Sequence, residues 1–233
     1  MERVSIVIPI RDEEAAIGPV LEHLRKATSE IERFEFEVIV VDDSSTDRGP
    51  EIARSYGARV LRNAPPHGKG AALRAGFAAA TGSLIVMMDG DHSHRPEDLG
   101  AFLDALTRGA SLVIGSRIFG GSEEYTALRA FGNIVLSYLF GLLHGRYLSD
   151  ALNGYKAFRR EVFSSFAYTS VGFEIEIELL VNAMRLGGTI QEIPSHERAR
   201  SGGRSKSSIV RHGSRFLARM LYERVRGGRR DAR

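Results

Sequence analysis

Cysteine is absent from this 233-residue chain. That absence excludes a disulfide framework, a thiolate metal site and a cysteine nucleophile, and it suits a reducing compartment. A hydrophobic run long enough to span a bilayer is also missing, since the longest, Phe131 to Leu143, falls short of the ~20 residues a transmembrane helix needs. The opening, MERVSIVIPIRDEE, reaches acidic residues too early for the apolar stretch and cleavage site of a secretory leader. The expectation is a non-secreted chain without a transmembrane domain.

Net charge is small, +3 from 32 Lys and Arg against 29 Asp and Glu. The excess is concentrated, because residues 207–233 carry eight Arg against Glu223 and Asp231. A tail of that kind seeks an anionic surface, either nucleic acid or lipid headgroups. Apolar residues are plentiful at 43%, enough for one sizeable core and one domain.

The β-branched runs Val4–Ile8 and Val38–Val41 flank a segment whose apolar residues, Ala16, Val20, Leu21 and Leu24, share one helix face. The alternation continues: Ile52–Tyr56 helical, Arg59–Leu61 extended, Ala71–Ala80 helical, then a buried strand Leu84–Met88 and another at Ser111–Ile114. It predicts an α/β fold, a mostly parallel central sheet flanked by helices. Ligands of such sheets bind beyond the carboxyl ends of the strands. Asp42 and Asp43 follow one strand, Asp89 and Asp91 another, and Arg117 a third.

Two carboxylates separated by Gly90 can both reach a divalent cation, the glycine letting the backbone turn tightly, and oxygen ligands favour Mg²⁺ or Mn²⁺. The competing reading is an Asx-turn with solvated aspartates. Gly68-Lys69-Gly70 before a helix can bring N–H groups and an ammonium to phosphate oxygens, although it is not a P-loop. In GFEIEIELL, the spacing of Glu174, Glu176 and Glu178 alternates like a strand, while the residues that follow read as a helix.

Taken in order, VSIVIPIRDEE, VVDDSSTD, GKGAALRAG, MMDGDHSHRPEDL, IGSR, NGYKAFRREV and RSGGRSK resemble the family-2 glycosyltransferases. Among these the chain is similar to the polyprenyl- or dolichyl-phosphate mannose and glucose synthases. The resemblance spans roughly residues 4–208. It implies a GT-A fold, a single Rossmann-like domain over 1–208; residues 209–233, beyond the resemblance, read from their own spacing as a basic amphipathic helix and tail. It places Pro9, Arg11 and Glu13 near the nucleotide base, Asp42 and Asp43 on base and ribose, and Lys69 near the nucleotide. Asp89 and Asp91, with Gly90 between them, would hold the metal that bridges the donor diphosphate. The third ligand is open between Ser93 and His94. Arg117, Arg200 and Lys206 would face phosphates, with Arg129 and Asn133 beside Arg117 at the acceptor phosphate.

The implied reaction is inverting hexosyl transfer from GDP-mannose or UDP-glucose, with Asp91, Arg117 and Asp150 as catalytic residues. A hydroxyl acceptor needs a general base, for which Asp150 is the candidate; a lipid phosphate arrives already anionic and needs none. Two segments favour the lipid. Leu128–Leu143 is apolar almost all round, with Arg129 at its start, and suits a headgroup region. At the C-terminus Phe216, Leu217, Met220, Leu221 and Val225 recur at helical spacing against Arg215, Arg219 and Arg226, a pattern suited to an anionic membrane surface. The expected location is therefore peripheral, on the cytoplasmic membrane face. Rival readings are transfer to a hydroxyl acceptor, a sugar-1-phosphate nucleotidyltransferase, and a nucleic-acid-binding protein. The second wants an N-terminal Gly-rich loop that Pro9–Glu14 does not supply, and the third has few aromatics in the basic tail.

Overall fold

The computed structural model describes residues 1–65, 67–200 and 209–228. Its first half alternates strand and helix: β1 (Glu2–Ile10), α1 (Glu14–Ser29), β2 (Phe34–Asp42), α2 (Gly49–Ser55), β3 (Arg59–Arg62), α3 (Lys69–Ala79) and β4 (Leu84–Met87). A short 3-10 turn, Pro96–Asp98, leads into α4 (Leu99–Thr107) and β5 (Leu112–Ser116). Then follow α5 (Arg117–Gly120), α6 (Ala127–His144), β6 (Lys156–Arg159), α7 (Arg160–Ser164), α8 (Ile175–Arg185), β7 (Ile190–Pro194) and α9 (Ile209–Gly228).

The seven strands form one sheet in the order β3-β2-β1-β4-β6-β5-β7. Only β6 runs against its neighbours, pairing antiparallel with both β4 and β5. The mostly parallel sheet expected from the strand–helix alternation is therefore present. Alternate residues of each strand feed opposite faces. From β1, Ile6 and Ile8 join α1 and α4 on one side, while Val7 joins α3 and α8 on the other. Each such Val or Ile is fully buried and contributes about 1.5–3 kcal/mol by leaving water.

GFEIEIELL resolves in favour of the helix, α8. Every residue from Ile175 to Ala183 is buried, so the alternating Glu and Ile reflects two kinds of buried partner rather than a wet and a dry strand face. At the C-terminus α9 is helical as expected, but it does not simply display an arginine face. Phe216 and Met220 enter the core, while Arg219, expected among the solvated cations, has a side chain only 10% exposed and pairs with Glu178 and Glu223.

Among the described residues, one helix, α6, has the length and composition to cross a membrane, with mean hydropathy 1.3 and 22% of its residues buried. Its outer face exposes Leu128, Phe131, Ile134, Tyr138 and Leu142.

Candidate active site

The C-terminal ends of β1, β2 and β4 deliver side chains to one cleft, lined by Pro9, Arg11, Glu13, Asp43, Lys69 and Asp89, and closed by Gly90, Asp91, Phe173 and Arg200. These are nearly all the residues expected around a nucleotide. Asp42 is the exception, and a correction: it is buried and does not line the cleft. Its Oδ1 accepts the Ser45 N–H at 2.7 Å, holding the loop that follows β2. Asp43 does line the cleft while organising its wall, accepting from Asn63 Nδ2 (2.7 Å) and from the backbone N–H groups of His67 (2.9 Å) and Gly68 (3.0 Å).

The loop after β4 differs from the tight glycine turn anticipated. Gly90 is not in the left-handed region; the residue there is His92, at φ 68°. Gly90 is needed for closeness, because a Cβ on it would lie 2.7 Å from Ile10 Cγ2. Asp89 and Asp91 thereby face the same cleft. Lys69 Nζ lies 2.7 Å from Asp89 Oδ1, and Arg200 Nη1 lies 3.1 Å from Asp91 Oδ2. Burial works against both charges of the first pair, yet each overcomes it: Lys69 holds the Asp89 carboxyl well below the usual range, and Asp89 and Glu176 hold the ammonium above its own.

Neither residue considered for a third ligand is free for that role. The Ser93 hydroxyl is buried and turned to Asp91 Oδ1 at 2.6 Å, steadying that carboxylate instead. His94 Nδ1 accepts the Asp89 N–H at 3.0 Å. A neutral imidazole so placed carries its proton on Nε2, the nitrogen that would have to donate a lone pair. Among the described residues no cluster of three or more His, Asp or Glu could hold a metal.

A second cavity adjoins the first and shares Lys69, Asp89, Phe173 and Arg200 with it. Arg117, Arg129 and Asn133, grouped together in the sequence reading, all line it. Arg117 follows β5 directly. Its backbone N–H and Nε donate to Asp150 Oδ2 (3.0 and 2.7 Å), its Nη2 to Oδ1 (2.9 Å), and its Nη1 to Glu197 (3.3 Å). Its guanidinium also sits 4.6 Å above the Tyr125 ring.

Asp150 is therefore misplaced as a general base. It is fully buried, and Asn133 Nδ2 supplies a fourth donor at 2.8 Å. Burial alone would raise its pKa, but Arg117 outweighs burial and lowers it. A saturated, weakly basic carboxylate holds Arg117 in place rather than taking a proton. Arg200 lines both cavities and pairs with Asp91, Arg129 lines the second and lies 3.8 Å from Glu124, and Lys206 lies outside the described residues.

Other side chains that shape the site were not singled out in the sequence. Phe173 offers its ring to Lys69 Nζ at 4.8 Å. Gly154 sits where the cavities meet, and a Cβ there would come within 2.9 Å of Lys69 Nζ and 3.0 Å of Asp89 Oδ2. Glu176, read in the sequence only as part of the alternating Glu stretch, pairs with Lys69 at 3.2 Å and keeps Oε2 buried without a hydrogen bond. Phe173 and Glu176 lie in the GFEIEIELL stretch and Gly154 in NGYKAFRREV, but what each touches depends on contacts between segments far apart in the chain.

Comparison with known proteins agrees with this geometry. Residues 5–166 match the model of glycosyl transferase family 2. A dolichyl-phosphate hexose transferase of Haloferax volcanii is 35% identical over 199 residues, covering 85% of this chain and 84% of that protein. A dolichol-phosphate mannosyltransferase of Pyrococcus furiosus is 30% identical over 213 residues, covering 88% of this chain but 59% of the longer relative. In structure the chain is similar to glucosyl-3-phosphoglycerate synthase from Mycobacterium tuberculosis, solved with Mn²⁺, UDP and phosphoglyceric acid (TM-score 0.74, 25% identity, covering 96% of this chain and 78% of that one). The chain belongs to glycosyltransferase family 2, with the GT-A fold. It is a glycosyltransferase.

Proposed function

We propose that this enzyme moves a hexose from a nucleotide-diphosphate sugar to a polyprenyl phosphate at a membrane surface, inverting the anomeric centre. The observation that carries the reading is the adjacency of two cavities of mixed charge. The cleft holding Asp89 and Asp91 meets, at Asp89 and Lys69, a cavity lined by Arg117, Arg129 and Asn133, and the helix that supplies Arg129 and Asn133, α6, exposes an apolar outer face. The relatives' names, which specify dolichyl phosphate and hexose or mannose, support the same reading.

Asp89 and Asp91 supply hard carboxylate oxygens on one loop, a donor set that fits Mg²⁺ or Mn²⁺ with the remaining positions left to diphosphate oxygens and water. A bound divalent cation would neutralise charge on the departing nucleoside diphosphate. Lys69 and Arg200, each beside one of these carboxylates, are placed to share the diphosphate charge. Arg117, fixed by Asp150 and Glu197, would orient the acceptor phosphate, with Asn133 Nδ2 helping to hold Asp150. The acceptor oxygen would enter from the adjoining cavity and attack the anomeric carbon on the face away from the leaving diphosphate. No proton needs to be removed from a phosphate that is already anionic.

A hydroxyl acceptor is the second reading, favoured by one observation. Glu176 Oε2 is buried, unbonded and beside the junction, where a base would be needed. The two are separated by incubating the enzyme with radiolabelled GDP-mannose and UDP-glucose, with and without polyprenyl phosphate, using EDTA and Asp91→Ala as controls. Metal- and Asp91-dependent label in the organic phase supports the lipid acceptor; donor consumption with no lipid label moves the assignment to a hydroxyl compound.

A further inference from the structure

Helix α9 is linked to the donor cleft by contacts that begin at Arg219. Arg219 pairs with Glu178 of α8 and, at 2.7 Å, with Glu223 of its own helix, and its Nη1 donates to Thr169 Oγ1 at 2.9 Å. Glu178 is fully buried. Its two carboxylate oxygens accept the backbone N–H groups of Thr169 and Ser170, each at 3.0 Å. The next carbonyl, that of Val171, accepts from the N–H groups of Gly70 (3.0 Å) and Ala71 (3.3 Å) in the first turn of α3.

The backbones touch at this point. A Cβ on Gly68 would lie 2.6 Å from the Val171 oxygen, and one on Gly70 would lie 2.5 Å from the Gly172 oxygen. Lys69 stands between those glycines. A parallel route runs through Phe173, whose ring meets Lys69 Nζ at 4.8 Å and the ring of His212, on α9, at 4.6 Å.

We propose that Arg219 is a positioning residue for the donor site. Through Glu178 and the strap 169–173 it holds the Gly68-Lys69-Gly70 turn against Asp89, making α9 a structural part of the cleft. The functional half of this inference rests on the donor reading given above. The physical argument is that the strap's amides are held by a buried carboxylate, and that carboxylate keeps its place because a guanidinium neutralises it. Without Arg219, the buried Glu178 loses its cation while Glu223 keeps Arg185, and the strap must yield.

Amide hydrogen exchange, read residue by residue on the whole chain without ligand, tests this in wild type, Arg219→Gln, Arg219→Lys and Arg185→Gln. Arg185 also ties α8 to α9, pairing with Glu223 at 2.8 Å, so it controls for the loss of a buried ion pair on α9. Gly70 and Ala71 should exchange about tenfold faster in Arg219→Gln, near the wild-type rate in the other two variants, with β1 and β2 unchanged throughout. Equal acceleration in Arg219→Gln and Arg185→Gln, or none in either, overturns the proposal. Should Arg219→Gln fail to fold, Glu178→Gln cuts the same link from α8 and is judged on the same two amides. UDP and GDP binding with Mn²⁺ forms a separate arm, in which Arg219→Gln should bind about tenfold more weakly. Wild type binding neither nucleotide would remove the donor reading, while the exchange rates still decide the strap.

Discussion

Lys69 Nζ lies 2.7 Å from Asp89 Oδ1, so the ammonium at the start of α3 neutralises the carboxylate at the end of β4. The same ammonium reaches Glu176 at 3.2 Å. Lys69→Met would leave two carboxylates facing each other in a largely buried site and remove a cation from the proposed diphosphate position. Sugar-transfer kcat/KM should fall by about 100-fold or more. Activity within a few-fold of wild type, measured on folded protein, would show that Lys69 does not serve the reaction.

Gly154 makes a second demand on this junction. A methyl group there would come 2.9 Å from Lys69 Nζ and 3.0 Å from Asp89 Oδ2, closer than van der Waals contact allows. The charged ends can shift, so Gly154→Ala should leave the melting temperature within a few degrees while lowering kcat about tenfold or more. The pairing of thermal melts with steady-state kinetics checks this; an unfolded variant or unimpaired turnover would count against it.

The cleft carboxylates were legible because strand ends are sequence-local: the β4 hydrophobic run points to Asp89 and Asp91 without any tertiary information. What stayed hidden depends on partners far along the chain. Nothing near Ser93 shows that its hydroxyl turns inward to Asp91, or near Asp150 that Arg117, thirty-three residues away, occupies both of its oxygens. Arg219 misled for a related reason. Helical periodicity places it on a basic face, and only the packing of α8 against that face converts a solvated arginine into a buried partner.

The Arg117–Asp150 pair changes what an Asp150 variant can report. Because Asp150 holds Arg117 rather than acting as a base, Asp150→Asn should raise the acceptor KM through a loosened guanidinium without shifting the acid limb of the kcat pH profile. Asp150→Ala should also destabilise the fold by about 3–5 kcal/mol, since it strands a buried cation. Denaturant melts and pH-dependent kinetics measure the two effects; loss of a titrating limb in Asp150→Asn would restore the base assignment.

The apolar face of α6 predicts lipid association that depends on shape as well as charge. Phe131 is 65% exposed and Leu128 64%, large for side chains that gain from leaving water. Phe131→Asp should weaken binding to vesicles containing anionic lipid by about tenfold, and raised salt should weaken binding of wild type further. Vesicle flotation measures both, and binding indifferent to the substitution would exclude α6 from the contact.

Lys156 permits a test of the interior beneath both cavities. It is fully buried in β6 and its Nζ donates to the Asn153 carbonyl. Burial depresses its pKa to about 8, with Glu176 and Asp150 opposing. In the unfolded chain it titrates near 10.5, so between about pH 8 and 10.5 the unfolded state binds more protons than the native one. Stability from this group must then rise with pH across that window, and below pH 8 the full cost of the buried charge, roughly 3 kcal/mol, is present. Lys156→Met removes the charge at nearly constant volume. The variant should therefore be more stable than wild type at pH 7, with the advantage shrinking steadily toward pH 10 as the lysine discharges. Chemical denaturation of both proteins at pH 7, 8.5 and 10 measures it, and taking the difference between them cancels the tyrosines that titrate alike in each. A constant difference across the three pH values would mean that Lys156 keeps an ordinary pKa and that its burial costs little.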